Sequence, residues 1–278
     1  MTKHICNLYL ILVFCIFSFS SIYSQQGLPA PHKGNLYFYW GWNTSAFTRS
    51  DLHFKGANHN FTLKKITASD RQTKFSLDSY LNPGNITTPQ FNFRIGYYLN
   101  DHYSISFGLD HMKYVMDQDQ VVKISGSIQA GSKYDGTYKN SDITVYSDFL
   151  KFEHTNGLNY SNLELRRIGE LLSLNHLKIN FISGIGAGIL LPRTDATLLN
   201  NKEYDEFHLA GYGIAGLAAI NFTFFNSFFI QSELKGGFID MPDIRTTINK
   251  TDKASQQFWF RQTNVAFGAN IRLARKNK

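Results

Sequence analysis

Cysteine is nearly missing from this chain of 278 residues, whose two cysteines, Cys6 and Cys15, both lie close to the N-terminus. The remaining sequence therefore offers no disulfide, no thiol nucleophile and no thiolate ligand for a metal. Sulfur-based catalysis and sulfur-based metal binding are excluded for that part of the chain.

Long apolar runs are missing as well. A transmembrane helix needs about 20 consecutive apolar residues, and no stretch after the N-terminus comes near that length without a charge. This pattern argues against a helical membrane protein.

Aromatic residues, in contrast, make up 15% of the chain, with 24 Phe and 15 Tyr. A membrane-spanning β-barrel can place so many aromatics against lipid and in its interfacial girdles.

The N-terminus carries an export pattern. Lys3 precedes an apolar run over residues 8–19, and small polar residues follow up to Ser24. This order is typical of a secretory signal. We predict a cleaved signal peptide over residues 1–24, with an uncleaved anchor as the alternative, and a short periplasmic leader over residues 25–34.

Positive charge is in modest excess and is scattered along the chain. The formal net charge is +7, and it is +6 without Lys3, which belongs to the predicted signal peptide. A basic chain can bind nucleic acid, but an exported protein is not expected to meet any. We expect the partner to be outer-membrane lipid, in particular anionic lipopolysaccharide. We expect a monomer without cofactor or metal, since no zinc, phosphate-loop or metalloprotease motif is present.

The dominant signal is period-two alternation, which is clearest in one hairpin. Residues 90–99 and 103–110 alternate on either side of a turn at residues 100–102. One face carries Phe91, Phe93, Ile95, Tyr97 and Leu99, and then Tyr103, Ile105, Phe107 and Leu109. Arg94 and Asp110 fall on the opposite, polar face. Alternation of this kind predicts β-strands that are apolar on one side only.

Eight such segments are predicted as strands long enough to cross a bilayer. They cover residues 35–47, 90–99, 103–115, 157–168, 177–189, 208–224, 228–239 and 258–273. Short connections at 100–102, 169–176 and 225–227 alternate with long ones at 48–89, 116–156, 192–207 and 240–257.

This alternation of connection lengths is typical of short periplasmic turns and long outer loops. We predict an all-β, antiparallel, up-and-down transmembrane β-barrel over residues 35–274, followed by a basic tail at 275–278. Eight strands are preferred. Apolar residues in loops 48–89 and 116–156 would form either ribbons above the membrane or a further hairpin, which would give ten strands. The sequence also leaves open a soluble lipocalin-like barrel or a β-sandwich.

Charged residues on the polar strand faces would lie in the lumen. They are Arg94, Asp110, Glu164, Arg166, Lys178, Glu233, Lys235 and Arg272. Buried charges must pair, so we predict a structural network that plugs the barrel, with Glu164 and Glu233 pairing with arginines. A gated pore or a proton path is the alternative.

Two further segments attract attention. His111, Lys113 and Tyr114 lie where the third strand leaves the membrane and are predicted at the lipid head-group level, with His111 and Lys113 facing outward and Tyr114 facing inward. His154 and Ser161 resemble the site of the lipid A deacylases, which are eight-stranded barrels with a Ser-His-Glu site. That family has His and Ser two residues apart, whereas position 156 here is Asn and Ser161 lies seven residues from His154, on the opposite strand face.

The hairpin of residues 91–110 resembles the outer-membrane β-barrel superfamily, which includes the OmpA-like and OmpX-like small barrels. The matching pattern is GYxxNDxxSIxxG, from Gly96 to Gly108. The resemblance implies a small outer-membrane barrel. The chain departs from it at the C-terminus, where Leu273 is followed by a basic tail instead of a terminal aromatic residue.

Together these features predict a non-enzymatic outer-membrane barrel with a filled lumen. Its role would be structural or would use the long outer loops to contact lipid or an external ligand. A membrane-embedded lipid A-modifying hydrolase and a narrow pore are the alternatives.

Overall fold

The computed structural model describes residues 32–199 and 204–273. The predicted signal peptide, its cleavage after Ser24, most of the leader and the tail at 275–278 lie outside the described residues. Among the residues that the structure describes, none of the helical segments could span a bilayer.

Most of the described chain is β-strand, with one short helix, α1 (Leu77–Leu81). The strands are β1 (Leu36–Phe47), β2 (Ser50–Lys55), β3 (His59–Ile66), β4 (Ala68–Ser69), β5 (Phe91–Tyr98), β6 (Tyr103–Met116), β7 (Val121–Ile128), β8 (Gly136–Thr144), β9 (Leu150–Ser173), β10 (Leu177–Leu190), β11 (Arg193–Leu198), β12 (Tyr204–Phe207), β13 (Gly211–Phe224), β14 (Phe228–Arg245) and β15 (Lys253–Ile271).

Eight strands close into an antiparallel ring. Their order is β1-β5-β6-β9-β10-β13-β14-β15, and β15 pairs back onto β1 from Leu36 opposite Ile271 to Phe47 opposite Phe260. A closed ring pairs its backbone groups internally, which lipid requires because it offers no hydrogen-bond partner. The predicted up-and-down barrel of eight strands is confirmed.

Each strand of the ring turns apolar side chains outward and polar or small ones inward. The outward positions include one exposed apolar residue from every ring strand: Phe38, Ile95, Phe107, Leu165, Ile185, Ile214, Leu234 and Phe267. Successive side chains of a strand point to opposite faces, so the sequence alternation produces an apolar band around the barrel. This band is the surface that lipid covers.

The predicted long loops are largely strands. β2, β3, β7 and β8 extend the sheet from the upper end of β15, while β11 and β12 extend it from β9. We call this part the outer module and define it as residues 50–69, 115–158, 193–199, 204–207 and 239–258. Its side chains form an apolar core that includes Leu52, Phe54, Phe61, Leu63, Ile124, Phe149, Phe152, Ile244 and Phe258.

The sequence leaves two interpretations of loops 48–89 and 116–156, ribbons above the membrane or a further hairpin in the ring, and the pairing of the outer module distinguishes them. Their apolar residues form ribbons above the ring and add no strand to it. The short turns between β5 and β6, β9 and β10, and β13 and β14 lie at the opposite end, together with the start of β1 and the end of β15. The module is therefore on the outer side and the turns are periplasmic.

Candidate functional site

Six charged side chains meet inside the ring. They are Arg94 on β5, Asp110 on β6, Glu164 and Arg166 on β9, and Glu233 and Lys235 on β14, and all are buried. Each lies at an inward position of the alternation, opposite the lipid-facing residues. We call these six residues the plug.

Glu164 is the centre of the plug. Its carboxylate lies 2.8 Å from the Arg94 guanidinium, 2.6 Å from that of Arg166 and 2.8 Å from Lys235 Nζ. A buried carboxylate is costly unless it is paired, and here three cations share it.

The other two carboxylates complete the pairing. Asp110 lies 2.6 Å from Lys235 Nζ and 3.8 Å from Arg94, and Glu233 lies 2.9 Å from Arg166. Three cations therefore face three anions, and the plug has no formal net charge.

Neutral side chains accept hydrogen bonds from further N–H groups of Arg94 and Arg166. The Tyr39 hydroxyl accepts hydrogen bonds from Arg94 Nε at 3.1 Å and from an Arg166 Nη at 2.9 Å. Asn162 Oδ1 accepts from Arg94 at 2.7 Å, while the Asn162 amide donates to Asp110 at 3.0 Å. Sequence reasoning did not include Tyr39 and Asn162 in the site, although the alternation places both inward.

Glycine on neighbouring strands makes room for the plug. A Cβ at Gly108 would lie 2.5 Å from Arg94 Cζ, and one at Gly186 would lie 2.6 Å from Glu164 Cγ. A side chain at either position would displace a charged group of the network. The glycine-rich inward faces are therefore part of the plug's packing.

Little space is left on the periplasmic side of the plug. A cavity of about 20 Å³ lies there, lined by Tyr37, Tyr98, Arg166, Phe229 and their neighbours. Such a volume holds about one water molecule. On the outer side, the apolar core of the module begins at Tyr160 and Phe260.

Two of the charges predicted for the lumen lie elsewhere. Lys178, the second residue of β10, lies 3.7 Å from Glu170 at the periplasmic rim. Arg272 follows the last residue of β15 and is exposed. Both have the inward phase of their strands, but they are too close to the strand ends to reach the plug.

The predicted head-group residues have three different surroundings. His111 stacks on Phe91 at 4.9 Å, and its Nδ1 lies 2.8 Å from Asn159 Oδ1. Lys113 Nζ donates to the Thr88 carbonyl at 2.7 Å.

Tyr114 is a correction to the predicted interface. The structure buries it in the core of the outer module, where its hydroxyl accepts a hydrogen bond from Gln256 Nε2 at 2.6 Å. Its side chain points inward because it keeps the inward phase of Asp110 and Met112 along β6, as the alternation predicts.

His154 is also buried in the outer module. Its Nδ1 lies 3.1 Å from Thr194 Oγ1, and its ring contacts Tyr114 and Phe152. Ser161 lies on the outward face of β9, partly exposed, so the two residues do not form a hydrolase pair. Among the described residues, no three His, Cys, Asp or Glu side chains are grouped in a way that suits a metal ion.

Burial lowers the pKa of His154 from 6.5 to about 3. Between these values an unfolded chain binds a proton that the folded module does not, so stability falls as the pH falls through this window. We expect the outer module to lose about 2 to 3 kcal/mol of stability between pH 6.5 and 4.5. Urea unfolding at the two pH values measures this loss. The variant His154→Asn should remove most of the difference, and an unchanged pH dependence in that variant would contradict the assignment.

No protein-family model matches the sequence, and no curated protein matches it. Among solved structures, the chain is similar to the outer membrane protein OprG from Pseudomonas aeruginosa, with 9% identity over 87% of this chain and 98% of that one and a TM-score of 0.40. It is also similar to the outer membrane protein AlkL in lipid bilayers, with 12% identity, coverage of 93% and 100% and a TM-score of 0.41. The attachment invasion locus protein Ail of Yersinia pestis gives 9% identity, coverage of 84% and 99% and a TM-score of 0.28.

These superpositions are loose, so the class of the protein rests on the molecule itself. A closed antiparallel ring, an apolar outer band and a polar, charge-paired interior define a membrane-spanning β-barrel. The protein is a small β-barrel of the outer membrane.

Proposed function

We propose that the protein is a closed, non-conducting barrel that displays its outer module at the cell surface, where the module contacts lipid or an external ligand. The observation that carries this proposal is the plug. Six buried charges and their neutral partners occupy the lumen, and the cavity beside them has room for about one water.

The outer module supports the second half of the proposal. Its strands pair with one another and with the ring, and Phe54, Phe61 and Phe149 pack together in its core at ring distances of 5.2 and 5.7 Å. A packed core keeps a surface in one shape, and a preformed surface binds at a lower entropic cost than a mobile loop. Catalysis has no part in this proposal, because His154 and Ser161 lie on opposite faces of β9.

A closed lumen predicts an electrically silent protein. Purified, refolded protein in a planar lipid bilayer should give no stable current steps above the lipid baseline at any voltage the bilayer tolerates. Folding is verified on the same sample by the shift of its gel band on heating. Reproducible current steps from folded protein would contradict the closed barrel and favour the narrow pore.

The variant Lys235→Ala is the matched positive control for this recording. Lys235 bridges Asp110 and Glu164 at 2.6 and 2.8 Å, and truncation to Ala opens space at the middle of the plug and leaves excess negative charge there. Current steps in this variant alone would show that the assay detects an opened lumen.

A further inference from the structure

The connection between β4 and β5 differs from the other outer connections. Residues 70–90 leave the outer module and run beside the outer wall of the ring. We call them the side segment. It contains α1, whose N-cap Ser76 accepts a hydrogen bond from Ser79 N at 3.0 Å.

The side segment lies over the lipid-facing surface. Tyr80 on α1 contacts Trp42 at a ring distance of 5.7 Å. Trp42 points outward from β1 and in turn contacts Phe267, which belongs to the apolar band, at 6.1 Å. The helix is thus next to the upper edge of the band.

Aromatic residues mark this edge as the membrane interface. Trp40, Phe91 and His111 stack in a row across β1, β5 and β6, with ring distances of 4.3 and 4.9 Å. Aromatic girdles of this kind lie where hydrocarbon meets the head groups. The side segment therefore lies beside the barrel at the level of the membrane–water interface.

Hydrogen bonds hold the side segment in this place. Lys113 Nζ on β6 donates to the Thr88 carbonyl at 2.7 Å and to Thr73 Oγ1 at 3.2 Å. Asp70 accepts a hydrogen bond from Ser45 N on β1 at 2.8 Å. The Tyr80 hydroxyl donates to the Thr73 carbonyl at 2.9 Å, which ties α1 to the start of the segment.

The apolar side chains of the segment are largely uncovered by the described protein, although the Phe75 ring contacts that of Tyr80 at 5.3 Å. Phe75 is 77% exposed, Leu77 67% and Leu81 61%, and no residue of α1 is buried. Leu77 and Leu81 are one helical turn apart and so share a face. Apolar side chains are more stable in an apolar phase than in water, so these three residues favour the hydrocarbon of the bilayer.

We propose that Phe75, Leu77 and Leu81 insert into the outer leaflet beside the ring, which makes the side segment a lipid anchor outside the barrel wall. The occupant is the lipid that already surrounds the apolar band, because α1 continues that band through Trp42 and Phe267. The cationic side chain of Lys74 adjoins Phe75 and matches the phosphate level of the leaflet.

Depth-dependent fluorescence tests the anchor. Residues 25–278 contain no cysteine, so a single introduced thiol can carry a bimane label. The labelled variant Leu77→Cys is reconstituted into phosphatidylcholine vesicles whose acyl chains are brominated. The matched control is Ile248→Cys, which is 87% exposed in the connection between β14 and β15. Both substitutions remove exposed side chains and no packing.

We expect bromolipid to quench the label at position 77 at least about twofold more than the label at position 248, and iodide in the buffer to give the reverse order. Leu81→Cys should behave like Leu77→Cys. Equal bromolipid quenching at positions 77 and 248 would overturn the proposal. Protection of position 77 from both quenchers would also overturn it, because a protein surface, such as a second copy of the chain, would then cover α1.

Discussion

Glu164→Gln is expected to lower the free energy of unfolding of the barrel by about 3 to 5 kcal/mol. The substitution keeps the size of the side chain and removes one negative charge that three cations share at 2.6 to 2.8 Å. Arg94, Arg166 and Lys235 would then face only Asp110 and Glu233, with one uncompensated positive charge buried in the lumen. The urea midpoint in lipid vesicles, read from the heat-sensitive gel band, measures the loss.

Glu170→Gln is the matched control on the same strand. Glu170 makes a single, longer contact of 3.7 Å with Lys178 at the periplasmic rim, where its side chain is 35% exposed. Exposed ion pairs contribute between about 0 and 1 kcal/mol, so this variant should unfold close to the parent chain. Equal shifts in the two variants would show that the plug contributes no more to stability than a surface pair.

Phe61→Ala is expected to cost the outer module about 3 to 5 kcal/mol while leaving the ring folded. Phe61 is 1% exposed and packs between Phe54 at 5.2 Å and Phe149 at 5.7 Å. Removal of the phenyl group of Phe61 would leave a cavity and take packing contacts away from Phe54 and Phe149. Added protease should then cut the module on intact cells, whereas the parent chain should resist under the same conditions.

Tyr146→Ala provides the control within the module. Tyr146 lies in the connection between β8 and β9 and is 50% exposed, so its truncation leaves the core intact. This variant should resist protease as the parent chain does, and both variants should keep the gel shift on heating. If Phe61→Ala stayed resistant on intact cells, the module would not depend on its apolar core.

The sequence alone predicts the ring well because alternation is a local signal. Phe93 and Arg94 must point to opposite sides of β5, whatever the partner strand, so alternation separates lipid-facing from inward residues. Alternation does not fix the position of a residue along the barrel axis, which we call its height. Lys178 and Arg272 share the inward phase with Arg94, but they lie at strand ends. Their height depends on strand register and tilt, which arise from long-range pairing.

The outer module shows the same limit more strongly. Leu52 and Phe54 on β2 alternate as clearly as ring residues, and so do Phe61 and Leu63 on β3. Their pattern predicts strands but does not say whether the strands enter the ring or rise above it. Pairing of β2 with only the upper end of β15 decides this, and it joins residues about 200 positions apart, such as Phe54 and Ala254. Tyr114 is a related case: alternation gives its inward phase, but not its height above the ring, where the core of the outer module buries it.

The arrangement of charges in the plug bears on how the chain reaches the membrane. Glu164 and Arg166 lie two residues apart on β9, and Glu233 and Lys235 lie two residues apart on β14. Arg94 and Asp110 face each other diagonally across the β5–β6 hairpin. The plug is thus assembled from three local pairs, each with one positive and one negative member. Each of the three hairpins that carry the plug therefore contributes as much positive as negative charge to it, and none needs a distant hairpin to neutralise its plug residues.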